Sequence, residues 1–302
     1  MKNLILITLG VIPLGLLLNI PLSKAAVNLQ TGGLVKHFVD YRVRNRDKEL
    51  IFERVYRSRS FSSGYFGYGW CSVFDEKLKF IGKNVQIDFC NDESTINLSF
   101  KKANLWLSPT YTLRKNSNGY ILENKEGILR FYDSSGWLSF IKKGLEITRL
   151  PDGTPTTVSI GLTKFNIEMS FDGQKIIQIN SNKKIKTEYS YKNNQLTGVL
   201  QNNSLKQTYV YDEDDNLLEI KNSGKLEQEI KYDTVNDRVV QIKDQEQCSL
   251  VYQYDQLNSS ETITRVLKQC EKKQVILGET HFWYESLSKG KVNLTKYEAR
   301  KR

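Results

Sequence analysis

From about residue 130 onward, large apolar and small polar positions alternate in short runs, and the runs are cut at even intervals by polar turns. The marks of the interval are Tyr132-Asp133, Pro151-Asp152, Phe171-Asp172, Tyr191-Lys192, Tyr211-Asp212, Tyr232-Asp233 and Tyr254-Asp255. They recur in steps of 19, 20, 20, 20, 21 and 22 residues. A period held that steadily is the signature of a repeat architecture. Each unit opens on a strand whose large residues stand two apart: Met169 and Phe171, Tyr189 and Tyr191, Tyr209 and Tyr211, Tyr252 and Tyr254. Residues two apart share one face of a strand, so these rings line one side. A turn follows, in which an Asp side chain accepts backbone N–H groups two residues on and Gly or Asn takes positive φ. A second strand then leaves with apolar residues at alternate positions, as in Ile177 and Ile179, Leu218 and Ile220, Val240 and Ile242. The unit is a β-hairpin. No segment after residue 26 sustains a 3.6-residue period, so the pattern predicts an all-β chain. A lone hairpin is marginal in water, whereas stacked hairpins share a continuous apolar face. The repeated Tyr and Asp positions therefore read as packing and turn chemistry rather than as a catalytic set.

The segment before the repeats is organised differently. Leu50–Tyr56 alternates as a strand, and Gly64, Gly67 and Gly69 allow tight turns before Trp70, which can cluster with Phe66 and Phe74. No Walker lysine or helix start follows these glycines, which excludes a phosphate-cradling loop.

Residues 1–25 read as a secretory signal: Lys2, an apolar run Leu4–Leu18, then Ser23-Lys24-Ala25 as a small-x-small cleavage site. Export places Cys71, Cys90, Cys248 and Cys270 in an oxidising compartment. Four cysteines allow three pairings. The two local ones are favoured, because Cys248 and Cys270 flank a hairpin that turns at Leu257–Ser260, and Cys71 and Cys90 flank one that turns near Gly82-Lys83. Each loop would contribute about 3 kcal/mol in the chain-entropy account. With two His and no CxxC, a metal site has little material, and no cofactor is indicated.

The 302 residues are 39% hydrophobic and 11% aromatic, enough for a packed core and too rich for disorder. The net charge of +10 suits anionic surfaces such as lipid headgroups, acidic polymers or an envelope. The positive residues are dense at Arg42–Arg59 and at the C-terminal end. No base-stacking motif accompanies them, so nucleic acid is not expected as a partner. No membrane span is expected once the signal is removed.

The repeat units resemble the YD repeats of the bacterial rearrangement-hotspot (Rhs) proteins. The preceding segment strengthens the likeness: a Thr31-Gly32, an Asp40, an Arg54-x-Tyr56-x-Ser58 and a Gly67-x-Gly69-Trp70 fall in the order of the N-terminal module of that family. The resemblance spans about residues 27–260. It implies a small β module over 26–105, a YD-repeat hairpin stack over 106–285 and a basic tail over 286–302. Full-size relatives use many such repeats to build a spiralling shell that encloses a polypeptide, often a toxin. Seven units imply an open, partial shell here. The function expected is that of an exported, non-enzymatic scaffold or binding protein, whose partner is another protein, the remainder of a shell, a glycan or an anionic envelope surface. Two other readings stay open. One is a hydrolase on an envelope or extracellular polymer, which needs only two carboxylates. The other is a truncated remnant without function.

Overall fold

The computed structural model describes residues 25–45, 48–90, 95–142, 144–160, 165–182, 184–245, 248–270, 273–286 and 292–300. Of the signal expected over 1–25, residues 1–24 lie outside them. Ala25 opens the first strand, Ala25–Val27, opposite Lys36.

Among the described residues two sheets carry most of the chain, beside a short pair of strands, Ser63–Gly64 and Gly67–Tyr68. The first is a four-stranded module in the order Ala25–Val27, Leu34–Asn45, Lys48–Arg57 and Trp70–Ser72. A single 3-10 turn, Val73–Asp75, leads out of it. It is capped by Ser72, whose hydroxyl accepts from Phe74 N–H while Asp75 accepts from Ser72 N–H, a reciprocal capping box. The second sheet is a long ribbon that starts at Leu78–Ile81 and ends at Val292–Arg300, each strand antiparallel to the next in chain order. Early in the ribbon the chain curls back on itself. Leu78 N–H reaches Gly136 O at 2.8 Å and Leu138 N–H reaches Glu76 O at 3.1 Å, on either side of a bridge between Lys77 and Trp137. Among the described residues no ladder joins Val292–Arg300 to a second neighbour, and the shell is open. Where the sequence suggested a basic tail over 286–302, the ribbon gains this further strand, with Glu279 opposite Arg300.

The hairpin turns follow from local chemistry. Asn193 and Asn194 (φ 50° and 68°) form a two-residue loop between Lys192 and Gln195, and Asn202 and Asn203 (φ 50° and 63°) form one between Gln201 and Ser204. Two consecutive residues with positive φ make the type I′ turn that matches strand twist, and Asn tolerates that region. The longer turns use Asp. Asp133 Oδ1 accepts from the N–H groups of Ser135 and Trp137, Asp212 Oδ1 from Asp214 and Asn216, Asp233 Oδ1 from Val235 and Asn236, and Asp152 Oδ1 from Thr154. Asp172 ends its strand opposite Lys175, and Asp255 lies within a strand, ion-paired to Arg265. The seventh unit therefore turns later, at Ser259-Ser260, with Asn258 Oδ1 accepting from Ser260 N–H.

Five of the repeat aromatics sit at a β-bulge: the register shifts just before Tyr132, Phe171, Tyr191, Tyr211 and Tyr232, whereas Tyr254 lies in continuous register. Four of the phenols reach the preceding unit. Tyr191 Oη donates to Ile176 O at 2.6 Å, Tyr211 to Leu196 O at 2.7 Å, Tyr232 to Leu217 O at 3.3 Å and Tyr254 to Val239 O at 2.8 Å. Each accepting carbonyl lies 15 residues back, on a residue with no exposed surface. In the unit that lacks an aromatic, Arg149 follows the bulge and its Nε donates to Leu138 O at 3.1 Å. The ring fills the sheet face and the hydroxyl satisfies a buried carbonyl, so Tyr serves where Phe would leave an acceptor unpaired. Tyr191→Phe is expected to cost about 1–2 kcal/mol in urea unfolding, with an unchanged slope. A loss below about 0.3 kcal/mol would show that the hydroxyl contributes nothing.

Both local disulfides are bonded. Cys248 and Cys270 are direct register partners across one hairpin. Cys71 and Cys90 do not face each other across a hairpin. Cys71 belongs to the module sheet and Cys90 follows the ribbon strand Asn84–Asp88, so this bridge ties the two sheets together.

Candidate functional site

The inner, aromatic face of the repeats is covered. Phe38, Phe52, Phe66, Trp70 and Phe74 of the N-terminal segment form one core with Ile179, Leu196, Val199, Leu217, Ile220 and Ile242 of the ribbon. The expected order, a module followed by a hairpin stack, becomes a module seated inside the stack.

The seat is built around one charge. In Lys48–Arg57, Phe52, Arg54 and Tyr56 share the buried face. Arg54 is fully buried and grips Asp40 of the neighbouring strand in a bidentate pair, Nε to Oδ2 at 2.7 Å and Nη2 to Oδ1 at 2.9 Å. Its remaining donors cross to the ribbon, Nη2 to Gln207 Oε1 at 3.2 Å and Nη1 to Tyr209 Oη at 3.4 Å. Tyr189 Oη donates to Asp40 Oδ2 at 2.9 Å. The guanidinium lies 5.1 Å from the Trp70 ring, 5.3 Å from Tyr189, 5.6 Å from Phe38 and 5.7 Å from Phe66. Burial alone would lower its pKa. The Asp40 carboxylate, with Tyr209 and Tyr189, outweighs that and holds the pKa above its ordinary value, so the charge is permanent.

Polar contacts repeat on both sides of this pair. Three strands that carry repeat aromatics hold a buried polar residue in their first half, Thr187, Gln207 or Gln228; Leu34–Asn45 meets Thr187 and Gln228, and Lys48–Arg57 meets Gln207 through Arg54. Tyr41 Oη lies 2.8 Å from Thr187 Oγ1 and donates to Ile179 O at 3.0 Å, and burial pushes its pKa up to about 12. Lys36 Nζ donates to Gln228 Oε1 at 2.9 Å and to Glu227 Oε1 at 3.0 Å; burial lowers its pKa and Glu227 partly offsets the shift.

The other motif residues dock the rim. Tyr56 Oη donates to Asp215 O and accepts from Leu217 N–H, at 3.1 and 3.0 Å. Trp70 Nε1 donates to Tyr211 Oη at 3.0 Å. Ser58 Oγ accepts from Leu34 N–H, closing the module's own sheet. Gly67 (φ 93°) lets the backbone touch the repeat turn. Tyr68 N–H donates to Asn194 O at 3.0 Å, and a Cβ on Gly67 would fall 2.4 Å from that oxygen. Gly69 (φ 75°) packs against the Tyr56 ring. Phe171 meets Tyr65 edge-on at 5.9 Å, and Tyr132 donates to Glu76 Oε1 at 2.5 Å. Arg54, Tyr56, Gly67, Trp70 and Tyr211 thus converge on the seat, whereas Asp212 is spent on its own turn and Asp255 on Arg265.

A cleft of about 480 Å³ opens beside the seat, lined by Tyr65, Trp70, Lys77, Lys79 and Trp137. Its two buried or half-buried carboxylates are committed. Asp75 accepts from Tyr65 N–H, Ser72 N–H and Ser72 Oγ, and Asp88 accepts from Lys79 and Thr95. Among the described residues no group of three or more His, Cys, Asp or Glu is placed to hold a metal.

Sequence reasoning passed over Lys36, Tyr41, Gln207, Gln228, Glu76 and Arg149. The available signal was a polar residue at an inward position of an alternating strand, as in Gln207-x-Tyr209-x-Tyr211.

Comparison with known proteins agrees with this architecture. Residues 98–257 match the family described as Teneurin YD-shell, and residues 24–97 match a domain of unknown function, DUF6531. The first match covers more than half of the chain, and the chain belongs to the YD-shell family, in the wider Rhs/YD-repeat group. No curated protein matches it significantly. Among solved structures it is similar to a chain from the crystal structure of TcdB2-TccC3-Cdc42, at 12% identity, over 88% of this chain and 15% of that one, with a TM-score of 0.24. A likeness that weak carries no functional weight, and this chain spans a small part of that protein's length.

Removing one member of the buried pair leaves the other charge stranded. Asp40→Ala should cost about 3–5 kcal/mol in chemical denaturation, and Asp40→Leu combined with Arg54→Met should recover more than half of the loss. Equal losses in single and double variants would show that packing, not the uncompensated charge, dominates.

Glu76 tests the electrostatics by pH. Burial raises its pKa, with Arg130 and the Tyr132 hydroxyl opposing. The folded state therefore holds the proton more tightly than the unfolded chain. The resulting stabilisation is complete below the ordinary value of 4.5 and is lost as pH climbs through the raised value. The melting temperature of the wild type relative to Glu76→Gln should accordingly fall as pH rises across that window. A difference that grows with pH would reverse the sign of the shift.

Proposed function

We propose that this chain is an exported, non-enzymatic scaffold: one segment of a YD-repeat shell whose inner face is sealed by its own N-terminal module, and whose last strand accepts further shell strands or a protein partner. The observation that carries the reading is the asymmetry of the ribbon. Its inner aromatic face is spent on the Arg54 seat, while Val292–Arg300 has a ladder neighbour on one side only among the described residues. An unpaired sheet edge is a template for strand addition, with backbone groups supplying the bonds. The covered tyrosine face favours this edge over a glycan stacked on the repeats. Two bonded disulfides support export, because such bonds persist in oxidising compartments.

The test is analytical ultracentrifugation of the oxidised chain with hydrogen exchange read at 292–300. Those amides should exchange quickly in the isolated chain and become protected when it associates with itself or with further YD-repeat strands. An isolated monomer in which 292–300 is as protected as Val239–Asp244 would contradict the edge role.

A further inference from the structure

The ribbon's first three hairpin tips form a surface unlike the rest of the rim. They are the turns after Leu78–Ile81, Thr95–Lys102 and Tyr111–Asn116. Asn84 Oδ1 accepts from Phe100 N–H at 3.1 Å, and Lys115 N–H donates to Asn104 O at 3.0 Å, so the three tips are laced side by side. Large apolar side chains crown them: Phe80 is 47% exposed, Ile81 59% and Phe100 40%. Beneath lie Trp106 and Tyr120, both buried. The Phe80 ring lies tilted 5.2 Å from Tyr120, Phe100 lies 6.1 Å from Trp106, and Trp106 Nε1 donates to Lys83 O at 2.8 Å. The exposed rings are therefore fixed from below and are not loose loop side chains.

Charge sets this surface apart. Lys83, Lys101, Lys102 and Lys115 stand exposed around the apolar crown, and among the described residues none is in an ion pair. No Asp or Glu falls within 80–84, 99–105 or 115–119. The later turns on the ribbon carry Asp133, Asp152, Asp212, Asp214, Asp215, Asp233 and Asp237 instead. The rim is polarised, basic and apolar at its start and acidic further along.

We propose that these tips dock the protein on an anionic lipid bilayer, with Phe80, Ile81 and Phe100 entering the headgroup boundary and the four lysines meeting anionic headgroups. Fixed rings and an aliphatic side chain encircled by uncompensated lysines match an interface that is apolar below and negative above. A soluble acidic polymer would use the lysines but gives no reason for the exposed apolar crown. The later acidic turns are repelled by the same surface, which fixes which part of the rim faces the membrane.

The experiment is vesicle flotation of the chain from Ala26, which keeps every described residue but the first and lacks the apolar run 4–18. The vesicles are phosphatidylcholine alone or with about 30 mol% phosphatidylglycerol; near an anionic surface each lysine is worth a factor of about five in affinity. Thermal melts establish that each variant is folded. Flotation with the anionic vesicles only, weakened by 0.5 M salt, is expected on the order of the screening at that ionic strength. Lys83→Glu with Lys102→Glu should lower the affinity at least about tenfold, and Ile81→Asp alone should also lower it. The proposal is overturned by absence of flotation, by equal binding to neutral vesicles, or by anionic binding that tolerates both tip variants. Loss with the lysine changes while Ile81→Asp has no effect would assign the patch to a soluble polyanion and also overturn it. None of these outcomes depends on strand addition at 292–300.

Discussion

A guanidinium buried without water must be answered on every donor, and Arg54 is answered from two sheets at once. Asp40 neutralises it from within the module, while Gln207 and Tyr209 complete it from the ribbon and the Trp70, Tyr189, Phe38 and Phe66 rings surround it. Apolar packing alone would let the module slide along a face of repeating Tyr and Leu. The polar matches, Tyr41 to Thr187, Arg54 to Gln207 and Lys36 to Gln228, do not superpose after a shift of one repeat. Their value lies in register, the best-attested use of buried polar groups.

The ribbon supplies the complementary constraint. The phenols of Tyr191, Tyr211, Tyr232 and Tyr254 each satisfy a carbonyl in the preceding hairpin, so these neighbours are joined by a side chain as well as by ladder bonds. Arg149 does the same work with different chemistry where the aromatic is missing, and it also reaches Phe74 O at the module exit. Nearest-neighbour coupling of this kind lets a stack extend strand by strand. The two disulfides reinforce different joints: Cys248 and Cys270 within a late hairpin, Cys71 and Cys90 between module and ribbon.

Much of this was legible in the sequence, because strand period, turn chemistry and spacing are local. The hairpin unit and the Asp turns at 133, 212 and 233 follow from neighbours in the chain, whereas Arg54, Tyr56 and Trp70 stood out as one motif only through the family resemblance. What could not be read was which surface the motif serves. Gln207 and Arg54 lie far apart in sequence, and nothing near either says that they meet. For the same reason the sequence marks the tyrosine face as packing without showing that the module is what covers it. The turn of the seventh unit, read from the sequence at Leu257–Ser260, lies there because Asp255 is held by Arg265 and Asn258 forms the turn. The last strand was missed because its charges resemble a solvated tail, and pairing with Lys273–Ser286 is a long-range event.

The central claim is that module and ribbon form one cooperative structure through the Arg54 seat. Native-state hydrogen exchange tests it most directly. Amides of Leu34–Asn45 and Lys48–Arg57 should open with the same free energy as those of Lys186–Lys192 and Ser204–Tyr211, and all four should fall together in Asp40→Ala. Module strands that open well below the ribbon strands, with the ribbon unchanged by that substitution, would contradict it.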